Sequence, residues 1–187
     1  MKKPIPARAL VLTALFAALT AVGAFIRIPT LWSAFTLQVL FVFLAGALLG
    51  PKYGALSQAV YVLLGLMGLP VFVSGGGPAY VLQPTCGFLL SYIPAAAVVG
   101  ALLRNREKPG FGGIVLACLA GLGVIYAIGL PYMAVILGVY MDRQVSLWKD
   151  VLWGGMIIFL PYDAVKILLT GVLAKTLIPR VRRFRTQ

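Results

Sequence analysis

Apolar residues run through this chain in long blocks, and charge, proline and glycine gather in the short stretches between them. Cutting at those stretches leaves six apolar segments, about residues 8–26, 34–50, 53–69, 85–103, 111–140 and 151–178. Each approaches the ~20 residues that a helix needs to cross the hydrocarbon core of a bilayer. Hydrocarbon offers backbone groups no partner, so each segment has to satisfy its own hydrogen bonds. The pattern predicts an all-α membrane protein, a six-transmembrane-helix bundle forming a single domain over residues 1–187.

The polar and small residues inside these blocks say which faces turn inward. The first segment carries Ala14, Ala17, Ala18, Ala21 and Ala24, a smooth stripe that lets another helix approach closely, inside the bundle or on a second protein. Gln38 lies about one turn into the second segment, where an amide either caps locally or faces a cavity. Gly46 and Gly50 repeat the small-residue spacing, and Pro51-Lys52 predicts a tight turn. In the third segment Gln58 and Tyr61 are three residues apart and, with Ser57, form a polar stripe turned away from lipid. The fifth is interrupted by Gly129-Leu-Pro131, which predicts an ordinary membrane-helix kink.

Two connections stand out. Residues 27–33 predict a short outward loop. Residues 70–84 hold no charge, yet Gly and Pro break them too often for a helix, so they are expected to fold back over the outer mouth of the bundle. The run Gly75 to Gly77 could present N–H groups to an anion. Phe72 and Tyr80 read equally well as lid aromatics over an apolar ligand or as interfacial belt residues.

Composition agrees with the pattern: 61% of the 187 residues are hydrophobic and the mean hydropathy is +1.02. The net charge of +12 changes meaning once its placement is read. With the N-terminus cytoplasmic and six spans, Lys2, Lys3, Arg8, Lys52, Arg104, Arg106, Lys108, Lys175, Arg180, Arg182, Arg183 and Arg185 fall on the cytoplasmic side, and only Arg27, Arg143 and Lys149 opposite. This positive-inside asymmetry predicts both termini in the cytoplasm. The basic tail from Arg180 to Arg185 then serves topology and lipid headgroups. With only Phe184 to stack on bases, no nucleic acid is expected as a partner. Cys86 and Cys118 stand 32 residues apart (118 minus 86) without a CxxC motif and carry no redox or metal signal.

The last segment contains Leu160-Pro-Tyr-Asp-Ala-Val-Lys166, with residues 152–161 before Asp163 and 167–174 after Lys166 free of charge. Asp163 and Lys166 are thus expected near mid-membrane, where a charge costs about 2.5–3.5 kcal/mol on insertion scales and so faces the protein interior. At i and i+3 they share one helical face. Pro161 removes the helical bond to the Ile157 carbonyl and should kink the helix beside them.

Little else in the chain can do chemistry. It has no His, and its four acids are Glu107, Asp142, Asp150 and Asp163. That excludes a zinc hydrolase, an aspartyl dyad and a GxSxG serine mechanism, and no phosphate-loop motif is present. No enzyme activity, cofactor or metal is expected. What remains is binding or transport of a small, mostly apolar ligand that exchanges hydrogen bonds at one end.

The motifs Thr36-Leu-Gln38, Phe43-Leu-Ala-Gly46, Leu49-Gly-Pro51, Gly54-Ala-Leu-Ser-Gln58, Tyr61, Leu64-Gly-Leu-Met-Gly-Leu-Pro-Val-Phe72, a glycine cluster, Pro84-Thr-Cys-Gly87, then Pro161 with Asp163 and Lys166, occur in this order. Together they resemble the BioY family, the biotin-specific substrate-binding (S) components of energy-coupling factor (ECF) transporters. The resemblance implies a six-helix S-component fold in the cytoplasmic membrane, with biotin bound near the outer side under the loops joining helices one to two and three to four. It implies a transmembrane coupling protein and two cytoplasmic ATPase subunits as partners, with Ala14 and Ala18 against the coupling protein. It maps biotin contacts to Asp163, Lys166 and Gln83. With Tyr80, Phe72 and Gln38 these make up the expected ligand site. Cys86, where a small residue is commoner, and Pro78, after the glycine run, depart from the pattern at the lid. The alternative is a stand-alone proton- or cation-coupled carrier of a small organic solute, with Asp163 titrating and Lys166 as its counter-charge. A third class, an assembly protein, would leave the pair structural.

Overall fold

The computed structural model describes residues 7–29, 34–106, 108–141, 144 and 146–183. Helix α1 spans Ala7–Phe25 and runs into a short antiparallel hairpin, β1 (Arg27–Pro29) with β2 (Ala34–Thr36), in the register Arg27 to Thr36. Helix α2 covers Gln38–Leu66, α3 Cys86–Leu103 and α4 Phe111–Val135, which ends in a π-helical turn, Ile136–Tyr140. A π-helical segment, Leu147–Ile157, precedes α5, Leu160–Arg183. Among the described residues, five helices are long and apolar enough to cross a membrane, as befits a multi-pass membrane protein.

The second and third of the six expected segments are the two arms of α2, which join at Gly50 without a loop. Gly50 takes φ +80° and ψ −178°, a conformation that reverses the chain within one residue and that L side chains rarely adopt. Pro51 then opens the second arm, where its missing N–H costs nothing. A Cβ on Gly54 would stand 2.9 Å from the Gly46 Cα, so beyond the turn the arms pack backbone against backbone. The start of the second segment is also corrected: residues 34–36 pair with residues 27–29 as a hairpin, and the helix begins only at Gln38. Part of the expected loop, residues 30–33, lies outside the described residues. Gly129-Leu-Pro131, where a kink is expected, lies inside α4, which stays helical to Val135. The break in the last segment falls just before Pro161, between Ile157 and Leu160.

The core forms around α2, which packs most extensively on α3. Val42, Phe43 and Ala45 of α2 and Ala95, Ala96 and Val99 of α3 are fully buried. The alanines of α1 do not share one face: Ala17 and Ala24 are buried, whereas Ala14 and Ala18 are exposed beside Val11, Leu15 and Val22.

Candidate functional site

A cavity of about 270 Å³ opens between the hairpin, the start of α2, the loop after α2, and helices α3, α4 and α5. Its polar floor comes from the first turns of α5. The Asp163 backbone N–H donates to the Phe159 carbonyl at 2.9 Å, so the carboxylate sits near a helix N-terminus, where the partial positive charge favours it. One turn on, Lys166 Nζ donates to Asp163 Oδ1 at 2.8 Å. Tyr126 of α4 donates its hydroxyl to Asp163 Oδ2 at 2.6 Å. Asp163 and Lys166 are 4% and 6% exposed, so this ion pair is desolvated and depends on its geometry. Each carboxylate oxygen keeps a lone pair, and the ammonium keeps two N–H groups, for a guest.

Phe88, Leu89, Tyr92, Ile125, Met133 and Phe159 supply the apolar walls. The mouth is polar, with Ser74 and Gln83 lining it and exposed. Lys166 is the one cation among the described lining residues, and Asp163 neutralises it.

The loop over the cavity is pinned at several points. Tyr61 donates to the Val71 carbonyl at 3.2 Å, Gly77 N–H donates to Gly65 O at 2.7 Å, and Tyr132 donates to the Val81 carbonyl. Phe72 and Gly75 close a tight bridge, and residues Pro78–Leu82 form a 3-10 turn. The backbone N–H groups of Gly75 and Gly77 are thereby spent, the first on Phe72 within the loop and the second on Gly65 of α2, which removes them from the expected anion site.

Of the residues expected from the sequence, Asp163, Lys166, Gln83, Tyr80 and Gln38 all border the cavity. Phe72 does not. It lies 2% exposed behind the wall, its ring 4.6 Å from Tyr80 and 5.4 Å from Tyr61, and so props the loop from beneath. The polar stripe of the third segment is buried as expected, but Gln58 faces α1: its amide donates to Thr20 and Ser57, and its Oε1 has no partner among the described residues. Five polar lining residues were not among the expected site residues, Thr36, Ser74, Thr85, Tyr92 and Tyr126, and of these Thr36 and Tyr126 bond directly to expected ones. A tyrosine in an apolar helix signals a polar neighbour, yet Tyr126, Tyr132 and Tyr140 all carry that signal, and only the fold selects the first. No group of three or more His, Cys, Asp or Glu side chains that could hold a metal occurs among the described residues.

Comparison with known proteins converges on one family. A sequence model described as the BioY family matches residues 1–183. A protein of Lysinibacillus sphaericus named "Probable biotin transporter BioY" is 46% identical over 168 residues, 90% of this chain and 85% of its own length. The biotin transporter BioY of Thermotoga maritima is 41% identical over 168 residues, 89% of this chain and 94% of its own. Among solved structures, the S-component for biotin from an ECF-type ABC transporter superposes with a TM-score of 0.77 at 26% identity, covering all of this chain and 95% of that one.

Proposed function

Because this chain belongs to the BioY family, we propose that it takes up biotin across the cytoplasmic membrane as the substrate-specific subunit of an ECF-type transporter, binding the vitamin in the cavity above Asp163 and Lys166. The observation that carries the reading is the fit between that cavity and the ligand. Biotin has a compact bicycle that wants apolar walls and a cyclic urea that offers two N–H donors and one carbonyl acceptor. The floor offers Asp163 as acceptor and Lys166 as donor, with Tyr126 holding the carboxylate in place. Asp163 accepts a ureido N–H, and Lys166, hydrogen-bonded to Asp163 Oδ1, turns one of its spare N–H groups to the ureido oxygen. Gln83 and Tyr80 bound the guest from the loop, and Gln38 from the start of α2. No cofactor takes part, biotin being the cargo.

The ligand carboxylate stays at the exposed mouth, since the floor holds no uncompensated cation to receive it. Transport then draws on a transmembrane coupling protein and two cytoplasmic ATPase subunits. Ala14 and Ala18, outward on α1, form the smooth face on which the coupling protein packs. The basic residues of the Lys52 turn, the Arg104–Lys108 region and the α5 tail support a cytoplasmic side that holds both termini among anionic lipid headgroups.

Calorimetric titration of biotin into detergent-purified protein, with Asp163→Asn alongside, tests the proposal. Wild-type binding that weakens roughly 10- to 150-fold in the variant is the expected result. Folded wild-type protein that does not bind biotin would overturn it in favour of a gradient-coupled carrier, for which proton-driven uptake into liposomes is the next measurement.

A further inference from the structure

Gln38 and Tyr61 join the cavity to the loop above it through a chain of buried hydrogen bonds whose direction is fixed. It begins at the Val71 carbonyl, which can only accept, so the Tyr61 hydroxyl proton is committed to it at 3.2 Å. Tyr61 Oη must then accept from its other neighbour, and at 2.6 Å that neighbour is the Gln38 side chain, whose NH₂ therefore points at it. This orients the amide. Gln38 Oε1 lies at the far end, 3.0 Å from Thr36 Oγ1, and an amide oxygen can only accept, so the Thr36 proton is committed as well. The hydroxyl oxygen of Thr36, on the cavity wall, is left with lone pairs only.

We propose that Thr36 is a second, specificity-determining acceptor of the site, reading the ligand N–H that Asp163 does not take, and that Tyr61, outside the cavity, is the positioning residue that fixes its polarity. The inference rests on the biotin reading, because a cyclic urea carries two N–H groups and Asp163 answers one. The walls are held together where this matters: Phe35, next to Thr36, stacks on Tyr162, next to Asp163, with ring centroids 3.9 Å apart, and meets Phe159 at 4.7 Å. A ligand with an acceptor in place of that N–H would confront oxygen lone pairs with no proton between them, so the chain selects against it.

The test measures affinities of biotin and of its two ureido N-methyl isomers for wild type, Thr36→Val, Thr36→Ser and Tyr61→Phe, with thermal melts as a check on folding. Thr36→Val should weaken biotin about 10-fold or more by leaving a ligand N–H buried without a partner. Thr36→Ser, which keeps the oxygen, should stay within about threefold of wild type. The informative readout is the isomer pattern. Methylation of one nitrogen should cost Thr36→Val much less than it costs wild type, while methylation of the other should cost both alike. A merely structural role of Thr36 would weaken all three ligands by one common factor, and that result overturns the assignment. Tyr61→Phe keeps the ring against Phe72 but frees the amide and the Thr36 proton, so discrimination between the isomers should shrink. Unchanged discrimination in Tyr61→Phe overturns its positioning role, whether or not Thr36→Val folds. A wild type that ignores biotin refutes the biotin reading and this inference with it; a wild type that binds biotin beside a Thr36→Val that binds as tightly refutes the inference alone.

Discussion

The ion pair under the cavity poses a question of stability as well as binding, and three variants separate the two: Asp163→Asn, Lys166→Met and the double substitution. In the wild type the charges are 2.8 Å apart, nearly dry, and the free carboxylate oxygen is held by Tyr126 at 2.6 Å. Lys166→Met leaves a buried carboxylate with one tyrosine for company, and Asp163→Asn leaves a buried ammonium facing an amide. Breaking one side of such a pair costs about 3–5 kcal/mol, chiefly because the remaining charge is uncompensated. The double variant removes both charges and keeps an amide that still accepts from Tyr126. It should recover most of that loss, since neutral replacements of a buried pair are often close to neutral in stability.

Binding should behave differently. Each single variant loses a charged hydrogen bond to the ligand, worth about 1.5–3 kcal/mol or roughly 10- to 150-fold in affinity, and the double variant should bind no better than the worse single one. The assay is a thermal melt of purified protein in detergent, in parallel with biotin titration. A double variant no more stable than the weaker single would show that the pair is not coupled as the geometry requires. Wild-type biotin affinity in the double variant would place the site elsewhere.

Three further substitutions probe the frame. Tyr126→Phe keeps the ring at the cavity wall and removes the bond to Asp163 Oδ2; affinity for biotin should fall about 5- to 20-fold by titration, and the melting temperature should drop as a buried carboxylate oxygen loses its partner, at a cost of about 1–3 kcal/mol. Gly65→Ala would put a Cβ 2.0–2.5 Å from three ring atoms of Phe72, so the ring must leave its slot and the loop loosen; biotin dissociation, followed by radioligand chase, should quicken at least several-fold. Gly100→Ala drives a Cβ to 2.4 Å from Pro51 N and 2.5 Å from Gly50 C, where only backbone can yield; overpacking of this kind costs about 1–3 kcal/mol, and a lowered melting temperature with biotin stoichiometry retained is the expected outcome. An unchanged dissociation rate for Gly65→Ala, or an unshifted melt for Gly100→Ala, would contradict the packing on which each rests.

How far the sequence reveals this architecture depends on the range of the interaction that decides each feature. The helical blocks were legible because lipid imposes a length and a polarity on every span, and those constraints are local. The merger at Gly50 was half legible. Leu49-Gly-Pro51 announces a turn, but that the arms meet without a loop depends on the contact of Gly46 with Gly54, which is tertiary. The hairpin of residues 27–29 and 34–36 left no signal, because three residues are too few for alternation to register. The alanines of α1 illustrate the same limit: spacing marked them as a stripe, yet whether a face meets the bundle or its surroundings is set by the crossing of α1 on α2.

The site divides along the same line. Asp163 and Lys166 declare themselves because ionised groups in an apolar run must be explained, and each is the other's partner one turn away. Tyr126 and Thr36 do not, because a hydroxyl is cheap enough in a membrane helix or at its edge to have many uses, and their roles come from partners 37 and 2 residues distant in sequence. What the fold adds is an order of rigidity. The acceptors proposed for the ligand's polar end are each held by a second protein group, Asp163 by Tyr126 and Lys166, and Thr36 through Gln38 and Tyr61. Groups already fixed lose little freedom when a ligand arrives, so hydrogen bonds of ordinary strength can sum to tight binding. The loop shares that scaffold, since Tyr61 ends on the Val71 carbonyl. A guest that met Thr36 as proposed would therefore engage the same chain of buried bonds that ends on the segment above the cavity.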